Sequence, residues 1–69
     1  SVRTRAIAVQ AENYQIIAIK NSGSYWFDTN ALIVSNPAGM DSTDTLVRFL
    51  LTEKGSSVLS KLEDELSAL

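Results

Sequence analysis

A chain with neither histidine nor cysteine lacks the commonest general base, the commonest zinc ligand and the thiolate nucleophile. Its chemistry must come from hydroxyls, carboxylates, lysine and tyrosine. Ser22, Ser24, Ser42, Ser56 and Ser57 all fall in turn or helix-capping contexts, and there is no Gly-x-Ser-x-Gly elbow. A serine nucleophile needs an adjacent base and a group that orients it, and no such neighbourhood is visible. Asp41-Ser42-Thr43-Asp44 gathers two carboxylates and two hydroxyls that could hold a hard cation. A calcium loop carries more acids and a closing bidentate Glu, so these four residues read more simply as the start of a helix. Gly23, Gly39 and Gly55 are isolated turn or cap residues, and none belongs to a phosphate-binding loop. We expect no catalytic residue, metal ligand or cofactor site, and a protein that is not an enzyme.

Two patterns point to binding instead. Tyr25-Trp26-Phe27 places three aromatics on a strand, and Arg3, Arg5 and Lys20 supply charge from the first half of the chain. Aromatics on a sheet with basic neighbours are how single-stranded nucleic acid is stacked and held. Strand alternation sends Trp26 to the face opposite Tyr25 and Phe27, so at most part of the triplet can form a platform. Charge is also divided: residues 1–35 carry +1, while residues 36–69 carry −3 and would repel phosphate. The second pattern is C-terminal. Val58, Leu59, Leu62, Leu66 and Leu69 recur at helical spacing between polar residues, forming a narrow apolar stripe. On that helix Glu63-Asp64-Glu65 reads as a solvated face, although acids near a helix C-terminus oppose its dipole.

Positioning these residues needs a small set of elements. Residues 2–9 alternate as a strand, with Arg3, Arg5, Ile7 and Val9 opposed to Val2, Thr4, Ala6 and Ala8. Residues 11–13 suit a hairpin connection. Tyr14 to Lys20 is β-branched through Ile16, Ile17 and Ile19 and reads as a second strand. Residues 21–24 form a turn, residues 25–27 start a third strand, residues 28–30 interrupt it, and residues 31–34 resume it. Asn36-Pro37-Ala38-Gly39 breaks the chain. From Asp44 to about Glu53 a helix capped by Ser42 or Thr43 and stopped by Gly55 has the better cap chemistry, with a second helix starting from Ser56 or Ser57. The competing reading makes residues 45–51 a fourth strand, with Thr52 capping one long helix. The expectation is one α+β domain over residues 1–69: a small antiparallel sheet of three to four strands in about 2–35, followed by C-terminal amphipathic helices in about 43–68.

Residues 51–59, Leu-Thr-Glu-Lys-Gly-Ser-Ser-Val-Leu, resemble the corner where the wing strand of MarR-type winged-helix regulators meets the next helix. The likeness covers nine residues and rests on common helix-start grammar. The recognition helix of that family belongs upstream, where this chain reads as strand.

Sixty-nine residues make a marginal core, and with no cysteine a disulfide cannot reinforce it. Both faces of the expected strands carry apolar residues, whereas an antiparallel sheet with one wet face should alternate. One or two helices cover one face only. We therefore expect a homo-oligomer, most simply a dimer. Its interface would use Val58, Leu59, Leu62, Leu66 and Leu69 of the stripe with Ile17 and Ile19 of the sheet. The corresponding function is a non-catalytic protein–protein interaction or oligomerisation module. The alternative is a small nucleic-acid-binding regulator using Arg3, Arg5, Lys20, Tyr25 and Trp26. No apolar run approaches the roughly 20 residues that span a bilayer, so no membrane partner is expected, and a cytoplasmic location fits the absence of cysteine.

Overall fold

A computed structural model describes residues 2–69. Its elements run α1 (Val2–Asn13), β1 (Ile17–Lys20), β2 (Gly23–Trp26), β3 (Leu32–Ser35), α2 (Ser42–Leu50) and α3 (Glu53–Ser67). The three strands form one antiparallel sheet in the order β1-β2-β3. The α+β class, with a small antiparallel sheet followed by C-terminal helices, is as the sequence leads one to expect.

The first element is not. Residues 2–9 form a helix rather than a strand, and residues 11–13 are its last turn rather than a hairpin. Its buried residues are Thr4, Ala8 and Ala11, with Ile7 half-buried between them. That is the i, i+4, i+7 spacing of one helix face. The stripe is made of small residues, so its hydrophobic signal is faint beside the alternation of β-branched Val, Thr and Ile. The helix closes with a Schellman pattern: Ile16 N–H donates to Ala11 O at 2.9 Å and Gln15 N–H to Glu12 O at 3.1 Å. Gln15 takes the left-handed position, at φ 61°. Glycine usually marks that position, and its absence hides the helix end in the sequence.

The second strand accordingly starts at Ile17, not Tyr14. Register pairs Ile17 with Trp26, Ile19 with Ser24 and Lys20 with Gly23, leaving Asn21 and Ser22 as the turn. Gly23 is required there. Its φ is +155°, and a Cβ would lie 2.5 Å from the Val34 carbonyl oxygen. Across the second pair, Ser24 meets Val34 and Tyr25 meets Leu32, with a bulge between. The β2–β3 turn is closed by Asn30 N–H to Trp26 O at 2.8 Å, with Asn30 at φ 59°.

Between Asp41 and Lys54 the chain draws on both sequence readings. Residues 42–50 are helical, but the N-cap is Asp41, whose carboxylate accepts from Asp44 N–H, rather than Ser42 or Thr43. The helix stops at Leu50, short of Glu53. The next is capped by Thr52, as the competing reading had it, and not by Ser56 or Ser57. The apolar side of α2 is Leu46, Val47, Phe49 and Leu50. α2 is not a surface helix: it lies against all three strands and against both other helices. α1 packs on β1, α2 and α3, and α3 packs on α1 and α2. The core is Ala8 and Ala11 of α1, Ile17 of β1, Leu46, Val47 and Leu50 of α2, and Leu62 of α3.

Candidate binding surfaces

The C-terminal stripe turns inward. Leu62 is fully buried, Val58 and Leu59 are half-buried against the core, and Leu66 is half-buried. Leu69, at the chain end, is 72% exposed. Ile17 is buried and Ile19 half-buried against the same core. The sequence assigned these residues to contacts with another chain. Leu62 and Ile17 belong to the chain's own core. Helix α1, which reads as a strand in the sequence, packs on β1, α2 and α3 and so helps to bury both residues.

Strand register separates the two faces of the sheet. Ile17, Ile19, Ser24, Trp26 and Val34 share the helix-facing side, and Ala18, Lys20, Tyr25 and Leu32 share the other. On this outer side Leu32 is 56% exposed, while Ala18 and Tyr25 are half-buried. The Lys20 ammonium lies 5.1 Å from the centre of the Tyr25 ring. The Tyr25 hydroxyl shares a hydrogen bond with the Ser22 hydroxyl at 3.1 Å.

The five residues considered for nucleic acid are thus dispersed. Only Lys20 and Tyr25 meet. Trp26 faces the helices. Arg3 and Arg5 sit on α1 and are engaged, Arg3 donating to Glu63 at 3.0 Å and Arg5 to Asp44. The Arg5 guanidinium, through its hydrogen bond and then its charge, holds the Asp44 carboxyl below its ordinary value, and Asp44 raises Arg5 in return.

A pocket of about 240 Å³ opens where three separate segments meet. Gln15 and Ile16 come from the α1–β1 turn, Trp26, Asp28 and Thr29 from β2 and the turn after it, and Lys61 and Glu65 from α3. The Lys61 ammonium stands 4.9 Å from the centre of the Trp26 ring, a cation–π distance. The Asp28 carboxylate accepts from the Thr29 N–H at 2.8 Å. The sequence offered no sign of this grouping, because its members lie up to fifty residues apart and match no motif. Among the described residues no helix is long and apolar enough to cross a membrane, and no group of three or more carboxylates is placed to hold a metal ion.

Comparison with protein-family models, with curated proteins and with solved structures finds no significant match to this chain.

Proposed function

We propose that this domain is a non-catalytic interaction module that self-associates through the outer face of its sheet. The observation that supports this is the one-sided packing of the fold. The helices gather on one side, leaving Ala18, Tyr25 and Leu32 uncovered on the other. Leu32 is the most exposed of these and the most costly to leave in water. Size sets the strength of the contact. Three four-residue strands present a footprint of roughly 200 Å². A standard interface buries about 800 Å² per partner. Association through this face alone is therefore concentration-dependent rather than obligate.

Light scattering across a concentration series tests the reading. The weight-average mass should rise toward the dimer with concentration, and Leu32→Glu should hold it at the monomer while leaving the fold intact. A constant monomer mass up to millimolar protein would rule the proposal out. The nucleic-acid alternative keeps one specific support, the Lys20–Tyr25 pair on this same open face. Adding a mixed-sequence single strand to the series separates the two, because phosphate contacts weaken steeply with salt and apolar contacts do not.

A further inference from the structure

We propose that the pocket between Trp26, Asp28, Lys61 and Glu65 receives a lysine or arginine side chain presented by a basic peptide segment. The inference rests on what the pocket already holds. The half-buried Trp26 ring packs against the core and also meets a cation, the Lys61 ammonium at 4.9 Å, so part of its surface is open to charge. Aromatic faces attract ammonium and guanidinium groups through the ring quadrupole. The charged residues of the lining are two carboxylates, Asp28 and Glu65, against the one ammonium. Ion pairs elsewhere join Arg3 to Glu63 and Arg5 to Asp44, and within the pocket neither carboxylate is ion-paired to Lys61. The site thus carries one negative charge in excess, which favours a further cation and disfavours phosphate or carboxylate ligands.

Shape agrees with charge. A volume of about 240 Å³ lies just under the roughly 300–1,000 Å³ of small-molecule sites and suits one long side chain. One wall is Gln15, held in the left-handed region at φ 61°, where a side chain other than glycine is uncommon. Lys61 is exposed, so an incoming cation can displace it into solvent. Lys61 then acts as an internal competitor, occupying the indole face until a ligand takes it.

Trp26 is the sole tryptophan and reports on its own pocket. Its fluorescence is titrated with Nα-acetyl-lysine methylamide, with the arginine analogue, and with the uncharged norleucine analogue. Saturable binding in the millimolar range is expected for both cations, and none for norleucine. Lys61→Ala should tighten the cations about two- to fivefold by removing the competitor. Asp28→Asn and Glu65→Gln should each loosen them about two- to fivefold. These three positions are exposed, so the variants keep the fold, which far-ultraviolet circular dichroism checks. Equal binding of norleucine, no saturable response in either the parent or Lys61→Ala, or indifference to both carboxylate variants would overturn the proposal. Leu32→Glu should leave this titration unchanged, because the outer sheet face is a separate surface.

Discussion

At the scale of single residues, Asn36 ties together more of the chain than any feature of its type suggests. Its amide nitrogen donates to the Asn21 carbonyl at 3.0 Å and the Met40 carbonyl at 2.8 Å. Its carbonyl oxygen accepts from the Thr45 hydroxyl at 2.5 Å. One side chain thereby joins the β1–β2 turn, the loop after β3 and the first turn of α2. Asn36→Ala removes all three bonds and should lower stability by about 1–3 kcal/mol, read as a reduced urea midpoint with an unchanged slope. Asn36→Asp keeps the acceptor but loses both donations, and should cost a comparable amount. In the sequence, Asn36 before Pro37 reads only as a chain break, because its partners are named by the fold. The serines show the reverse. Ser24 reads as a turn residue in the sequence, yet its hydroxyl is buried on the helix-facing side of β2 with no hydrogen-bond partner among the described residues. Such a group costs stability rather than supplying it.

At the scale of elements, the α2–α3 corner brings the two helix backbones into close approach at Gly55. Thr52 donates its hydroxyl to the Phe49 carbonyl at 2.6 Å and accepts from Gly55 N–H at 3.1 Å, binding the end of one helix to the start of the next. Gly55 lies inside α3 rather than stopping the helix before it, as the sequence leads one to expect. Its role is close approach: a Cβ there would lie 1.8 Å from the Phe49 carbonyl oxygen and 2.9 Å from Leu50 Cα, both backbone atoms. Two effects compete in Gly55→Ala. Helix propensity favours alanine by up to about 1 kcal/mol. The clash forces the two helices apart and opens the core to which Leu50 and Leu62 both belong, an overpacking cost of about 1–3 kcal/mol or more. The clash is with backbone that cannot swing aside, so it should win. The variant should be less stable by about 2 kcal/mol in chemical denaturation. A more stable variant would mean that the corner pivots freely. The caps of both helices were partly legible, since Asp and Thr at helix starts act locally. The missing glycine after α1 was not, because Gln15 adopts its backbone angle without announcing it.

At the scale of the whole molecule, two ion pairs fasten α1 to the C-terminal half, Arg3 to Glu63 on α3 and Arg5 to Asp44 on α2. The uneven charge seen along the sequence is used inside the fold, where it closes the first helix onto the last two. It also offsets part of the cost of acids near the end of α3. Both pairs are solvent-exposed, so each adds little, but the Arg5–Asp44 pair has a pH signature. The Asp44 carboxyl is depressed when folded, so its contribution is present above the unfolded carboxyl value, about 4. It is lost as pH falls through the lower, folded value. Asp44→Asn should therefore be less stable than the parent near pH 6, and the difference should shrink steadily below pH of about 4. Urea midpoints at several pH values check this. A gap that stays constant into acid would mean that the pair does not form.

The sequence by itself determined what is local or compositional. It excluded thiol and imidazole chemistry, favoured a helix from Asp44 to about Glu53 over the strand alternative, located the turn after Lys20 and the break at Asn36–Gly39 but not the turn after α1, and pointed to the α+β class. Each follows from residue type and near-neighbour spacing, which act over a few residues. Tertiary structure decided the rest. Residues 2–13 are helical because a stripe of Thr4, Ala8 and Ala11 finds a core to bury against. Leu62 faces inward because α1 and α2 form the groove that takes it. Trp26 meets Lys61, thirty-five residues away in the sequence, because their long side chains reach across the space between β2 and α3. Those outcomes depend on which surfaces become neighbours, and short apolar or small-residue patterns do not encode that.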